Sequence, residues 1–276
     1  MLSLPRKGGL RQVRQRRGVV ARVAAASASV LFPPRCPVTG ARVSEAGAFS
    51  ARGWAQLTFL SEPACRLCGL PFDHAEPGLE LCAACAAPEA YLRKLTGRRK
   101  LDAIRSVLVY DRVSAGLILS LKYADRHDLA TALGRLLAGP IAALAPSPGS
   151  VLVPVPLHRR RLRSRRFNQS ALLAGAASRA SGLPVIPDLV RRPRATASQK
   201  GLGVEARFRN IAGAFSAMPA ARGASVILVD DVLTSGATLV ACARALRRAG
   251  AVSVKGVTIA RALPNARDHD MEWDGV

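Results

Sequence analysis

Two adjacent carboxylates, Asp230 and Asp231, follow the apolar run 226–229 and precede a loop rich in hydroxyl groups. The loop combines a glycine, consecutive backbone N–H groups and the start of an amphipathic stretch, which together suit a phosphate dianion. Carboxylates accept hydrogen bonds from vicinal sugar hydroxyls and supply oxygen ligands to Mg2+. The string therefore indicates a site for a ribose 5-phosphate with free 2- and 3-hydroxyls; the alternative is a solvated turn that caps a helix. The loop residues are Thr234, Ser235, Gly236, Ala237 and Thr238.

A second set of reactive groups is a cysteine quartet with the spacing C-x2-C-x13-C-x2-C. Each pair can form a tight knuckle that presents two thiolates to one tetrahedral ion, and the segment between the pairs can form a hairpin. Two disulfides or a redox C-x-x-C are the alternatives, but a doubled pair without a secretory signal favours zinc. We expect one structural zinc ion, because four thiolates leave no open position for water. The predicted ligands are Cys65, Cys68, Cys82 and Cys85.

The segment before this quartet has the pattern of a degenerate copy of it. Cys36 lies in the run 34–40, where a first knuckle would stand, and the run 49–54 corresponds to a second knuckle. Because only one of the four ligand positions holds a cysteine, we expect this half to be metal-free. Packing around Trp54, Leu57 and Phe59 would hold it together. Coincidence is the alternative to an internal repeat.

These groups need a scaffold, and from position 100 onward short apolar runs alternate with amphipathic stretches. Strands that are apolar throughout and separated by helices are typical of a parallel sheet covered on both faces, which predicts an α/β domain. Functional residues of such sheets gather at the carboxyl ends of the strands. The predicted strands are 104–110, 151–155, 185–186, 212–215, 226–229 and 252–260, and the predicted helices are 114–122, 129–144, 168–181 and 236–249.

The composition sets limits on the kind of protein. The chain has 276 residues, with 41 lysines and arginines against 18 acids and a formal charge of +23. Hydrophobic residues make up 49%, which excludes wholesale disorder, and the 4% of aromatic residues favours an aliphatic α/β core. Residues 1–28 form a basic leader, interpreted as a transit peptide, a disordered arm that contacts nucleic acid, or a start placed upstream of the true one. No stretch is long and apolar enough for a transmembrane helix, so we expect a cytoplasmic protein.

Taken in order, the motifs resemble those of the type I phosphoribosyltransferases. They resemble more closely the ComF family, also described as competence protein F-like or amidophosphoribosyltransferase-like. The resemblance covers about residues 29–262 and rests on the cysteine region and on the segments 153–158, 163–170, 196–202, 207–210, 213–215 and 226–239. It implies a type I phosphoribosyltransferase fold over residues 100–262, mainly a parallel sheet with helices on both faces. A small double zinc ribbon at 29–90, degenerate in its first half, would precede this domain, and a tail at 263–276 would follow it.

The resemblance also implies a role for each site residue. Asp230 and Asp231 would bind the ribose hydroxyls of 5-phosphoribosyl 1-diphosphate (PRPP) together with Mg2+, and residues 234–238 would bind its 5-phosphate. The segment 191–199 matches a mobile loop that closes over the ligand and excludes water. One departure is Arg166, which stands where the family usually has glycine. An arginine can adopt fewer backbone conformations than a glycine at this position. The implied diphosphate-binding residues are Pro156, Leu157, His158 and Arg159, with Arg194, Thr196 and Gln199 from the mobile loop.

Two classes of function remain open. As an enzyme, the protein would transfer the phosphoribosyl group of PRPP to an unidentified acceptor, and the resemblance implies a link to DNA uptake in natural competence. As a non-catalytic module, it would respond to PRPP, bind single-stranded DNA and contact the DNA-uptake machinery. The run 159–166, six arginines in eight residues, supports DNA binding, although it is also typical of a solvated loop-to-helix junction. The scarcity of aromatic residues for base stacking argues against DNA binding, and a homodimer is compatible with either class.

Overall fold

A four-stranded sheet lies at the centre of the protein. The structure is a computed structural model that describes residues 33–74, 78–86, 101–123, 126–197 and 201–263. The sheet has the order β1-β6-β5-β2 and every pair in it is parallel, whereas β3 and β4 form a separate antiparallel pair. The strands are β1 (Ile104–Val109), β2 (Val151–Pro154), β3 (Val190–Arg191), β4 (Ser216–Ala217), β5 (Ser225–Leu233) and β6 (Ser253–Arg261).

Helices cover both faces of this sheet. They are α1 (Ala51–Trp54), α2 (Ala83–Ala86), α3 (Arg112–Tyr123), α4 (His127–Leu136), α5 (Ala138–Ala143), α6 (Arg159–Arg165), α7 (Gln169–Ser181), α8 (Val204–Ile211) and α9 (Ala237–Arg248). Successive strand residues point to opposite faces, so β5 contributes to two apolar clusters. Val226 and Leu228 belong to the cluster that contains α9, whereas Ile227 and Val229 belong to the one that contains α3, α4, α5 and α7. The predicted parallel α/β architecture is confirmed.

One predicted strand and one predicted helix are replaced by other structures. The predicted strand 212–215 is wrong, because Gly213 has a left-handed φ of +68° that turns the chain, and pairing starts only at Ser216. The predicted helix 129–144 is two helices, α4 and α5. Pro140 has no N–H to donate to the carbonyl of Leu136, and the chain passes through a tighter turn at Leu137 instead.

From position 100 onward, two of the described helices, α6 and α8, have no counterpart among the predicted elements. Helix α6 contains no buried residue, so it lacks the apolar stripe by which a helix is recognised in a sequence. Helix α8 buries only Ile211. The predicted strand 185–186 is reduced to one parallel bridge between Val185 and Leu152.

The segment between the two ribbon halves pairs with the free edge of β1. Leu60 N donates to Val107 O at 2.9 Å, and Val109 N donates to Thr58 O at 2.8 Å. This pairing covers a strand edge that would otherwise be open to other chains. The predicted leader 1–28 and all but the first residue of the predicted tail 263–276 lie outside the described residues. Among the described helices, none has the length and apolar character needed to cross a membrane.

Candidate functional site

The acid pair lies within β5, not after it. The sequence predicts that this strand ends at Val229, but Asp230 stays in register with Thr258 of β6, and the strand runs on to Leu233. The neighbour on the other side, β2, stops at Pro154, opposite Val229. The sheet therefore ends in a step, and the two acids lie just beyond the carboxyl end of β2, where ligands of α/β sheets bind.

Asp230 and Asp231 have different partners, because successive side chains of a strand point to opposite faces. Ser170 Oγ donates to Asp230 Oδ1 at 3.0 Å, and Lys122 Nζ lies 2.9 Å from Asp231 Oδ2. Burial, followed by the nearby Asp231, raises the pKa of Asp230 to about 7. Near neutral pH the ligand-free site therefore holds a proton on part of the Asp230 population, while Asp231 is paired with an ammonium group.

Lys122 was not identified as a site residue from the sequence. It lies on the last turn of α3, and the residues that make α3 amphipathic are elsewhere on the helix. Nothing in its spacing points to β5, 109 positions further along the chain. A lysine at the end of an apolar helix is a common surface arrangement, so only the tertiary contact shows its role.

The loop after β5 has the geometry expected of a phosphate cradle. Gly236, which has no side chain, precedes α9 in the left-handed conformation, with a φ of +69°. Ser235 Oγ accepts from Ala237 N at 3.4 Å, and both residues are buried, whereas Thr234 is exposed and Thr238 half-buried. The first N–H groups of a 12-residue helix are therefore directed at the end of β5, as an anion site requires.

The segment after β2 forms the second predicted part of the site. Val155 N donates to Val229 O at 2.9 Å, which continues the alignment with β5 for one residue beyond β2. Pro156 and Leu157 are half-buried and lead to His158, whose Nδ1 accepts from Arg160 N at 3.2 Å and so caps α6. The predicted Arg159 is the first residue of α6 and is exposed.

Residues 168–170 tie the segment after β2 to the acid pair. Asn168 Nδ2 donates to Val155 O at 3.0 Å, while its Oδ1 accepts from Ser170 N at 3.1 Å and caps α7. Because the Ser170 hydroxyl in turn donates to Asp230, the start of α7 links the loop after β2 to the acid pair. The preceding Arg166 has a left-handed φ of +64°, a conformation that glycine adopts with less strain.

The predicted mobile loop is anchored to α8 in this structure. Arg194 Nη2 donates to Asn210 O at 2.9 Å and to Ala212 O at 2.6 Å. Arg161 Nη2 reaches Ala197 O at 3.5 Å, which brings the loop next to α6. This segment therefore lies next to α6, as expected for the predicted diphosphate site. The Arg194 side chain, however, donates its hydrogen bonds to backbone carbonyls.

Arg192 lies in the interior of the same loop and was not among the site residues predicted from the sequence. Its guanidinium lies 5.2 Å from the centre of the Phe215 ring, and Nη2 donates to Thr196 Oγ1 at 2.5 Å. Burial, followed by the nearby Arg161, lowers its pKa. The Thr196 hydroxyl therefore accepts a hydrogen bond from Arg192 in this structure. The remaining predicted residue of the loop, Gln199, lies outside the described residues.

The cysteine quartet forms a compact buried cluster. The four sulfur atoms lie within 4.8 Å of one another, and Cys68 Sγ is 3.7 Å from Cys82 Sγ. Zinc–sulfur bonds of about 2.3 Å give a tetrahedral edge of about 3.8 Å, so the arrangement fits one zinc ion. All four cysteines are free, which argues against paired disulfides. In the absence of a cation, burial followed by the charge of Cys68 raises the pKa of Cys82 to about 11.

The first half of the ribbon keeps the knuckle geometry without the ligands. Thr39 Oγ1 and Ser50 Oγ lie 3.0 Å apart, and a Cβ on Gly53 would stand 2.5 Å from Cys36 Sγ. Cys36, Thr39, Ser50 and Gly53 therefore converge as four ligands would. Burial opposes ionisation of Cys36, but hydrogen bonds from Ser50 and Thr39 lower its pKa to about 6.

The predicted aromatic packing of this half is present with one difference. Trp54 lies 4.7 Å from Phe59 and 6.0 Å from Phe49 between ring centres, and Leu57 is buried. Trp54 itself is 49% exposed. Phe49 and Phe59 therefore pack against the Trp54 indole, which is partly open to solvent.

Comparison with known proteins gives two family matches. Residues 27–86 match the double zinc ribbon domain, and residues 171–276 match the phosphoribosyl transferase domain. The "DNA utilization protein YhgH" of Escherichia coli (strain K12) is 34% identical over 204 residues, which cover 72% of this chain and 84% of the relative. "Competence protein ComFC" of Bacillus subtilis (strain 168) is 29% identical, over 71% of this chain and 77% of the relative.

Among solved structures, the glutamine PRPP amidotransferase from B. subtilis, complexed with ADP and GMP, is similar to this chain with a TM-score of 0.35. The identity is 22%, and the match covers 51% of this chain but only 30% of that one. A similarity of this size supports no conclusion about activity. The fold assignment rests instead on the family match and on the parallel sheet.

Proposed function

Since the chain belongs to the ComF family, with a double zinc ribbon and a phosphoribosyltransferase domain, we propose that the step at the carboxyl end of its sheet binds PRPP with Mg2+. The observation that carries the proposal is the joining of three groups around one strand end. Asn168 and Ser170 link the loop after β2 to the acid pair, and the start of α9 follows the same strand, β5. These groups match the ribose, the 5-phosphate and the diphosphate of one ligand.

Each part of the site would act on a different part of PRPP. Asp230 and Asp231 would accept hydrogen bonds from the ribose hydroxyls, and N–H groups and hydroxyls of residues 234–238 would donate to the 5-phosphate. Residues 156–159 would face the diphosphate, assisted by Arg194, Thr196 and Gln199 once the loop rearranges from the contacts seen here. Mg2+, when bound, would neutralise diphosphate charge; carboxylate oxygens at Asp230 and Asp231 suit it.

Catalysis, if an acceptor is bound, would rest on positioning and charge. The arginines of α6 would stabilise the diphosphate that leaves C1, and the protein would supply no covalent nucleophile. Closure of residues 191–199 would exclude water from the reacting carbon. Lys122 would hold Asp231 in place until the ribose hydroxyls replace the ammonium group as its partner.

Isothermal titration with PRPP and Mg2+ tests the site. We expect Asp231→Asn to weaken binding at least tenfold, because an amide cannot replace a charged acceptor for both hydroxyls and metal. Asp188→Asn is the matched control, since Asp188 is an exposed aspartate on a short turn elsewhere in the domain. Equal affinities of the Asp231 and Asp188 variants would remove the acid pair from the site. Diphosphate release across a panel of acceptors would then separate an enzyme from a binding module.

Single-stranded DNA binding is a second candidate function, favoured by the surface of α6. Five of its seven residues are arginines, none is buried, and no carboxylate in the described ranges is within ion-pair distance of them. Arg165 lies over the Tyr123 ring, 5.1 Å from its centre. The names of the relatives, which refer to DNA utilization and competence, agree with a nucleic-acid partner. The exposed Trp54 also supplies the kind of stacking surface that single-strand binders use.

The salt dependence of DNA affinity tests this candidate. If three arginines of α6 neutralise three phosphates, replacing Arg159, Arg160 and Arg161 with alanine should reduce the slope of log affinity against log salt by about 2. Replacing Arg222, Arg244 and Arg248, which lie outside α6, provides a control of equal charge. If both triple variants change the slope equally, α6 is not the DNA-binding surface.

A further inference from the structure

Arg261 occupies an unusual position for an arginine. It is the last residue of β6 and is only 2% exposed, although arginines are almost never fully buried without a partner. Among the described residues no carboxylate lies within ion-pair distance of it. The counter-charge of this buried cation must therefore come from another group.

The side-chain contacts of Arg261 are with the cysteine quartet. Nη1 donates to the carbonyl oxygen of Cys68, and Nη2 lies 3.7 Å from Cys68 Sγ. Four thiolates outweigh the charge of one divalent ion, so a zinc-loaded quartet is a net anion. A hydrogen bond from a cation to a ligating sulfur stabilises that anion, as groups around a metal's direct ligands commonly do. The negative charge that Arg261 needs is present when the quartet holds its metal.

The backbone of Arg261 contacts the start of the phosphate loop. Arg261 is in register with Leu233, the last residue of β5, and Ala262 N donates to Leu233 O at 3.0 Å. On its other side, Tyr110 N donates to Arg261 O at 2.8 Å. Thr234, the first residue of the loop, follows Leu233 directly. One residue thus contacts a metal ligand with its side chain and fixes the start of the phosphate loop with its backbone.

We propose that Arg261 is a positioning residue that couples metal loading of the ribbon to the ligand affinity of the phosphate loop. With zinc bound, the tetrathiolate anion holds the guanidinium and keeps the ends of β5 and β6 in register. Without zinc, the four cysteines are no longer held around one ion, the contacts of Arg261 with Cys68 are released, the end of β6 shifts, and the loop 234–238 loses its alignment. The inference rests on the proposed PRPP function for its ligand, but the coupling of the ribbon to the loop does not.

The test compares Arg261→Met with Arg105→Met in the full chain. Arg105 is the matched control, because it joins β1 to the ribbon as Arg261 joins β6 to it, and its side chain donates to Arg66 O at 3.1 Å and to Ile104 O at 3.0 Å rather than to a cysteine. Three quantities are measured: zinc release to a colorimetric chelator, hydrogen exchange of the amides of residues 233–238, and PRPP affinity with Mg2+. We expect Arg261→Met to release zinc at least tenfold faster, to exchange the loop amides at least tenfold faster and to bind PRPP at least tenfold more weakly. Arg105→Met should stay within about threefold of the wild type in all three.

Further outcomes separate coupling from a loss of folding. If Arg261→Met fails to fold, Arg261→Lys retains the charge without the forked geometry, and intermediate zinc release and exchange are expected. Chelation of the wild type should reproduce the loop exchange of Arg261→Met, and zinc should restore protection in the wild type only. Normal zinc retention in Arg261→Met, or rapid zinc release with unchanged loop exchange, would overturn the coupling. Failure of the wild type to bind PRPP would instead refute the proposed function and leave the first two readouts decisive.

Discussion

Replacement of Asp230 by asparagine should change the pH dependence of folding stability. The pKa of Asp230 is raised from 3.8 to about 7 because burial and the neighbouring Asp231 disfavour its charge. A carboxyl with a raised folded-state pKa binds its proton more tightly in the folded than in the unfolded chain. The stability that it contributes is therefore lost as pH rises from the unfolded pKa to the folded one, and is constant above the folded pKa. Asparagine carries no titrating proton, so the variant loses no stability from this position over the same pH range.

The size of the effect follows from the two pKa values. A difference of one in pKa corresponds to about 1.4 kcal/mol, and about half of the interval between the two values lies between pH 5.5 and pH 7. Between pH 5.5 and pH 8 the free energy of unfolding of the wild type should fall by about 2 kcal/mol relative to that of Asp230→Asn. At higher pH the variant should become relatively more stable, the reverse of what loss of an ordinary surface ion pair would produce.

Urea unfolding of both proteins at several pH values measures this difference directly. Zinc must be present in excess, so that protonation of the cysteines affects both chains equally. The variant minus wild-type difference should increase with pH and level off above about pH 7.5. A difference that is constant from pH 5.5 to pH 8, or one that decreases with pH, would refute the assignment of a buried, partly protonated Asp230.

Three further perturbations have expected outcomes. Arg166→Gly should raise the free energy of unfolding by about 0.5–1 kcal/mol, because glycine adopts the left-handed φ of +64° without strain, and a lower urea midpoint would contradict this. Lys122→Met should lower the free energy of unfolding by about 2 kcal/mol at pH 8, because it leaves the Asp231 charge unpaired at 11% exposure. In a double-mutant cycle, the double variant with Asp231→Asn should recover most of this loss. Cys82→Ser should abolish stoichiometric zinc binding, measured by metal analysis, and lower Tm, whereas Cys36→Ser should leave the zinc content unchanged.

Much of the fold could be predicted from the sequence because its signals are local. The run 226–229 is apolar throughout, which is the pattern of a strand buried on both faces, and the structure places it at the centre of a parallel sheet. The cysteine spacing likewise encodes its own geometry, since each knuckle closes through hydrogen bonds within a few residues, such as Gly69 N to Cys65 O at 2.8 Å. The structure of such elements is determined by short segments of the sequence.

The parts that the sequence did not predict depend on contacts between distant segments. Helix α6 has no apolar stripe, and its start is set by the His158 cap. Lys122 and Arg261 contact Asp231 and Cys68, which lie 109 and 193 positions away, and neither position has a distinctive local pattern. The prediction of strand 212–215 was wrong for a different reason. The apolar content of this segment suits a strand, but the left-handed conformation of Gly213 turns the chain.

A crystal structure of the full chain with PRPP and Mg2+ tests whether the step beside Asp230 and Asp231 holds a phosphoribosyl ligand. We predict the 5-phosphate within hydrogen-bond distance of the backbone N–H groups of residues 235–238, with the ribose hydroxyls on the two carboxylates and Lys122 displaced from Asp231. PRPP bound only to the arginines of α6, with the Lys122–Asp231 contact intact and the loop empty, would contradict the account.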